Sequence, residues 1–108
     1  MLSKVKLAKR ISTTVFDAEL LDLIAAAIAD LKVTAGIEFN YSKTTAQDGS
    51  VTDYVVTDPL VSRAIVTYCV AHFGSPADYD RLKASYDEQK GQLRETSGYG
   101  LVDASVSA

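Results

Sequence analysis

The strongest fold signal in the chain is the stretch Asp58-Pro59-Leu60-Val61-Ser62-Arg63-Ala64-Ile65-Val66-Thr67-Tyr68-Cys69-Val70-Ala71-His72-Phe73-Gly74. An aspartate can accept hydrogen bonds from the free amides at a helix start. A proline at the first helical position gives up an N–H that has no intrahelical partner. From Leu60 to Phe73, apolar side chains occur on nearly all sides of the helical wheel, which is typical of a helix that other elements cover. The stretch therefore predicts the central helix of a bundle, ending at Gly74.

Two helices are predicted before this stretch. A short one spans about Ser3 to Ser12, with Val5, Leu7, Ala8 and Ile11 as its apolar members. A longer one starts at a capping box formed by Thr14 and Asp17, because a hydroxyl three residues before an acid can satisfy the first amides. Its apolar residues recur at spacings of three and four up to Gly36, where a glycine can end the helix. This gives an amphipathic helix of about 20 residues, close to 30 Å long.

A fourth helix is predicted after Ser75-Pro76, by the same logic that starts the central one. One stripe along it consists of Tyr79, Leu82, Tyr86, Gln89 and Leu93. On its exposed side, Asp87 can pair with Lys83 and with Lys90. Gly91 lies inside this helix at a cost of about 1 kcal/mol relative to alanine. We therefore expect either a bend at Gly91 or a neighbour packed tightly against it.

The segment 37–57 has no helical period and is too long for a plain turn between helices. Ile37 to Tyr41 and Val51 to Val56 alternate in the manner of strands, with Asp48-Gly49 between them. A protruding β-hairpin or an extended arm is expected. The fold class is thus mainly α: a small bundle of three to four helices, a long arm between the second and third helices, and a flexible C-terminal tail. Residues 1–108 form one domain, with a bundle at 1–96 that includes the arm, and a tail at 97–108.

The composition is that of a soluble globular protein, and the residues offer little chemistry. The chain has 108 residues, of which 47% are hydrophobic and 23% charged, and none of its apolar runs approaches the roughly 20 residues of a membrane span. Its basic N-terminus lacks the apolar region of a secretory signal, so we expect use in the cytoplasm. One cysteine, Cys69, and one histidine, His72, give neither a zinc site nor a catalytic arrangement. We predict no enzyme activity, no catalytic residue, no metal and no cofactor.

The charge distribution leaves one alternative function open. The net charge is −3, which gives no global attraction to nucleic acid. The first ten residues nevertheless hold four cations, Lys4, Lys6, Lys9 and Arg10, and no anion. A small helical DNA-binding or regulatory interaction module is therefore the alternative reading, and a stand-alone interaction subunit of another complex is a third.

The order of these signals resembles the short head-tail connector, or adaptor, proteins of tailed bacteriophages and prophages. The residues that carry the resemblance are Phe16-Asp17, Leu20, Leu23-Ile24, Ala26-Ala27, Asp30-Leu31, Gly36-Ile37, Asp58-Pro59-Leu60, Ala64-Ile65, Tyr68, His72-Phe73-Gly74, Tyr79, Leu82, Ser85-Tyr86, Leu93, Ser97 and Tyr99. The resemblance implies a structural virion protein at the head-tail interface, assembled in the bacterial host cytoplasm. It implies a ring of twelve identical subunits docked under the portal protein, which extends the DNA channel and receives the next head-completion or tail protein. DNA would only pass through, and no membrane is involved.

Such a ring uses contacts in which one patch of a subunit meets a different patch of its neighbour. The arm and the tail are suited to these contacts, and the candidate partner-binding residues are Tyr41, Tyr54, Tyr99, Leu101 and Val102. We expect Tyr41 and Tyr54 to contact a neighbouring subunit, the alternative being that they cover the protein's own bundle. We expect the tail to become ordered only on binding the portal.

Overall fold

The fold is taken from a computed structural model that describes residues 1–74 and 76–95. Within these residues the chain forms four α-helices, a π-helical turn and one two-stranded antiparallel sheet. In chain order they are α1 (Leu2–Lys9), α2 (Asp17–Ala29), the π-helical turn (Asp30–Thr34), β1 (Tyr41–Thr45), β2 (Val51–Val56), α3 (Pro59–His72) and α4 (Tyr79–Glu95). The prediction of a mainly α-helical protein with a hairpin arm is confirmed.

The predicted central helix is α3, which packs against α1, α2, α4 and β2. It starts as the sequence indicates, because the Asp58 carboxylate accepts hydrogen bonds from the amides of Leu60, at 2.9 Å, and Val61, at 3.1 Å. Its inward side is fully buried, and Gly74 follows it with a left-handed φ of 67°. Leu60 lies on the outer side and remains 47% exposed, so the cover around α3 is not complete at its start.

The second helix differs from its prediction at its start and in the form of its last turn. The capping box is wrong: α2 begins at Asp17 with no side-chain cap, because the Asp17 carboxylate instead pairs with Lys6 Nζ at 2.8 Å. At the other end the helix widens into the π-helical turn, in which the amide of Ala35 donates to the carbonyl of Asp30 at 2.9 Å. Gly36, with φ of 70°, then ends the element as predicted.

The arm is a β-hairpin, but its first strand starts later than predicted. Ile37 and Phe39 are buried in the core, at 0% and 9% exposure. These residues, which the alternating pattern predicted to be part of the first strand, therefore pack in the core instead. Pairing begins where Tyr41 faces Val56. The hairpin packs through β2 on α2 and α3, so it rests on the bundle.

The remaining helices follow their predictions with shorter bounds. α1 ends at Lys9, because Arg10 adopts a left-handed φ of 57° and its amide donates to the carbonyl of Leu7. α4 begins at Tyr79, one turn later than expected, and runs through Gly91. A Cβ atom at Gly91 would meet nothing within 4 Å, so tight packing does not explain this glycine.

One hydrophobic core collects side chains from α1, α2, the π-helical turn, the hairpin and both C-terminal helices. Its largest fully buried members are Leu20, Ile24, Leu31, Ile37, Ile65, Val5, Val61 and Cys69. Burial raises the pKa of the Cys69 thiol to about 12. The thiol therefore stays neutral and acts as a small apolar group, as the sequence predicts.

Candidate partner-binding surfaces

The hairpin is fastened to the bundle at the start of the chain. The Met1 amino group donates to the carbonyl of Tyr54 at 2.9 Å and lies 3.3 Å from Asp53 Oδ1, which also accepts from the amide of Leu2 at 2.9 Å. Burial of the Asp53 carboxylate opposes its charge, but the hydrogen bonds from Leu2 and Tyr54 and the nearby amino group outweigh this, so the pKa of Asp53 lies below its ordinary value. The hairpin thus has a fixed position on the bundle.

The two candidate arm residues, Tyr41 and Tyr54, lie side by side. Their ring centroids are 6.4 Å apart, but Tyr54 is buried within its own chain at 8% exposure, whereas Tyr41 is 39% exposed. The Lys32 ammonium lies 4.5 Å from the centre of the Phe39 ring and 5.9 Å from that of Tyr41. It also donates to the carbonyl of Phe39 at 2.6 Å. Of the two tyrosines, Tyr41 therefore offers the larger surface to a partner.

The other three candidates, Tyr99, Leu101 and Val102, lie outside the described residues. Their predicted role in the tail stays a prediction. In the sequence one residue, Thr96, separates the tail from Glu95, the last residue of α4.

The bundle also exposes large apolar side chains that the sequence argument did not single out as partner-binding. They are Leu7, Val15, Phe16, Val33, Val55 and Leu60, with exposures between 39% and 81%. Leu7 was expected on the apolar side of α1, yet it is 80% exposed. The break between α1 and α2 could have indicated this for Val15 and Phe16, because apolar residues between helices often lie at the surface.

A groove lies between the start of α3 and the end of α4. Its volume is about 460 Å³ and its lining residues are Leu60, Arg63, Gln89, Gln92, Leu93 and Glu95. Leu60 and Leu93 supply apolar surface, while Arg63 and Glu95 supply charge of both signs. The arrangement suits a short peptide segment better than a charged small molecule.

The basic N-terminal residues are largely engaged within the chain. Lys6 pairs with Asp17, and Lys4 Nζ donates to Ser62 Oγ at 3.2 Å. Lys9 Nζ lies 5.7 Å from the centre of the Phe73 ring. The Asp17 carboxylate offsets the charge of Lys6, whereas Lys4 and Lys9 contact neutral groups and keep their charge.

The polar side chains of the described residues form no assembled catalytic or metal arrangement. The Asp30 carboxylate accepts from Tyr86 Oη at 2.6 Å and from Lys90 Nζ at 3.2 Å, which joins the π-helical turn to α4. The centre of the His72 ring lies 4.3 Å from that of the Tyr68 ring, and the two ring planes are tilted by 38°. Within residues 1–74 and 76–95, no group of three His, Cys, Asp or Glu side chains could hold a metal ion. In the same residues, no helix has both the length and the apolar composition required to cross a membrane.

The fold and its surfaces define a class: a small helical bundle whose accessible features are apolar patches, a hairpin and a groove suited to protein contacts. A family profile described as phage connector protein matches residues 1–100, and the chain belongs to this family. Membership identifies a structural phage protein and virion component that interacts with other capsid or tail components, in a family that is non-enzymatic. No curated protein and no solved structure matches the chain.

Proposed function

We propose that the chain is the head-tail connector subunit that forms a ring, a dodecamer in the virion, beneath the portal protein. The ring extends the DNA channel and provides a platform for the next head-completion or tail protein. The observation that carries this proposal is the family match over residues 1–100. Ring closure needs two different patches per subunit, and the exposed apolar residues on α1, the hairpin and the start of α3 supply candidates for them.

The decisive experiment mixes purified subunit with purified portal rings and measures mass by light scattering. We expect complexes with one subunit per portal protomer. Electron microscopy of the complex should show the added density under the portal as a closed ring. A subunit that neither binds portal rings nor joins any other head or tail component would refute the proposal.

The tail, residues 97–108, is proposed to bind the portal through Tyr99, Leu101 and Val102. Deleting 97–108 is expected to abolish portal binding while leaving the bundle folded, since the core formed by the described residues extends from Met1 to Leu93. Far-ultraviolet circular dichroism and thermal unfolding check the fold, and light scattering with portal rings checks binding. Unchanged portal binding by the truncated chain would show that the tail is not the docking segment.

Tyr41 is proposed to contact a neighbouring subunit in the ring. We expect Tyr41→Ala to reduce assembly of the subunit ring on the portal while lowering the free energy of unfolding by only about 1 kcal/mol. The Tyr41 side chain is partly exposed, so its removal costs the chain only contacts with neighbouring aromatic side chains. The matched control is Thr44→Ala, an exposed residue of the same strand.

Tyr54 differs from Tyr41 in its surroundings, although both residues were predicted to contact a neighbouring subunit. Because Tyr54 is buried in its own chain, Tyr54→Ala is expected to cost about 3–5 kcal/mol of stability. Loss of assembly in that variant would therefore not identify an interface. Full ring assembly by the folded double variant of Tyr41 and Tyr54 would exclude both from the subunit contact.

A further inference from the structure

Gln89, which lines the groove between α3 and α4, carries an unsatisfied hydrogen-bond acceptor. Oε1 of Gln89 is buried and has no hydrogen-bond partner among the described residues. A buried acceptor without a partner costs free energy, so an occupant whose N–H draws the Gln89 side chain toward the groove would be favoured. The apolar side chains of Leu60 and Leu93 flank the same groove. The groove thus suits an extended segment with small apolar side chains and a free main-chain amide.

The chain itself supplies such a segment next to the groove. Glu95 lines the groove and lies two positions before the start of the tail, in which Leu101-Val102 are adjacent apolar residues. Leu101 is six positions after Glu95, which allows a reach of up to about 20 Å. The groove runs along α4 from Gln89 to Glu95, only about 9 Å of helix. Gly98 and Gly100 permit the reversal of direction that this path requires.

We propose that Leu101-Val102 of the same chain occupy this groove in the free subunit. A short linker gives an effective concentration in the millimolar range, so the chain's own tail outcompetes that of a second copy at ordinary protein concentrations. The inference deepens the proposed function, because the tail that binds the portal is then held on its own bundle and leaves it on docking. It replaces the expectation that the tail becomes ordered only on binding the portal. Its test uses no portal, so the two ideas fail separately.

The test places a fluorescent reporter in the tail of the full-length chain. The protein contains no tryptophan, so Leu101→Trp carries a single indole. We expect a blue-shifted emission maximum and reduced acrylamide quenching relative to the same variant unfolded in urea. Adding Leu60→Asp is expected to abolish both effects, because a carboxylate in the groove opposes burial of an apolar side chain. Leu60→Asp should not unfold the bundle, since Leu60 is 47% exposed and an acid is favoured in the first turn of a helix.

The matched control is Leu7→Asp in the same background, which changes an exposed leucine of α1 and should leave the blue shift intact. Val102→Trp repeats the measurement in case the indole at position 101 does not fit. Emission from both reporters equal to that of the unfolded chain overturns the proposal. The proposal is also overturned if the blue shift appears only at concentrations where light scattering detects association, because a second copy then binds the tail.

Discussion

Asp30 is the residue that fixes the far end of the second helix to the fourth. It lies at the start of the π-helical turn and accepts from Tyr86 and Lys90, which are 56 and 60 residues away in the chain. Burial of the Asp30 carboxylate opposes its charge, but these two hydrogen bonds and the Lys90 charge outweigh it, so the pKa of Asp30 lies below its ordinary value. Burial and the nearby Asp30 charge raise the pKa of Tyr86. The tyrosine therefore remains a donor throughout the physiological range.

We expect Tyr86→Phe to lower the free energy of unfolding by about 1–2 kcal/mol at neutral pH, because it removes a hydrogen bond to a charged group. The measurement is urea unfolding followed by circular dichroism. Tyr79→Phe on the same helix is the control, since the Tyr79 hydroxyl has no hydrogen-bond partner among the described residues, and it should change stability little.

The stability of wild type and of Tyr86→Phe should depend differently on pH in the acid range. Because the pKa of Asp30 is lower in the folded state than its ordinary 3.8, its contribution is present above that value and is lost as the pH falls through the folded pKa. Phenylalanine at position 86 brings the folded pKa closer to the ordinary one. The stability difference between wild type and Tyr86→Phe should therefore shrink on acidification. A difference that stays constant from neutral pH to about pH 3 would show that the tyrosine does not act through the Asp30 charge.

At the scale of the elements, two glycines have similarly open surroundings but different backbone conformations. A Cβ atom at Gly36 or at Gly91 would meet nothing within 4 Å, so steric contact with other elements affects neither substitution. Gly36 has a φ of 70°, whereas Gly91 lies inside α4. Their effects on stability therefore report the backbone alone.

We expect Gly36→Ala to destabilise the protein by about 1–2 kcal/mol, because an L side chain is strained in the left-handed region. Gly91→Ala should stabilise it by up to about 1 kcal/mol through helix propensity. Thermal unfolding of the two variants beside wild type tests both. Shifts of the same sign would contradict the assignment of one glycine to a helix end and the other to a helix interior.

The sequence predicted those features that depend on neighbouring residues. The cap at Asp58, the helix end at Gly36 and the hairpin were correct because each follows from local hydrogen bonding or backbone conformation. The capping box at Thr14 was wrong because Asp17 pairs with Lys6, on another helix. The first strand was misplaced because the core takes Ile37 and Phe39. No local sequence pattern predicts the π-helical turn or the groove between α3 and α4.

At the scale of the whole molecule, the charge pattern separates the connector function from the DNA-binding alternative. The net charge is −3, and Lys4, Lys6 and Lys9 already contact Ser62, Asp17 and Phe73. We expect little binding to duplex DNA in fluorescence anisotropy at physiological salt. Binding that falls steeply as salt rises would support the alternative. Lys4→Ala should then weaken it, because Lys4 is an exposed cation of α1, whereas Lys43→Ala on the hairpin serves as the control for a cation elsewhere.

The hairpin also affects the tendency of separate copies of the chain to aggregate. In the described part of the chain β1 is paired on one side only, and all five of its residues are exposed. An open strand of this kind can recruit strands from other molecules and grow into fibrils. Lys43 places a charge in the middle of β1, and the register is irregular between Thr44 and Thr45. Both features make the strand a poor template, so free copies of the chain are protected from aggregating through it.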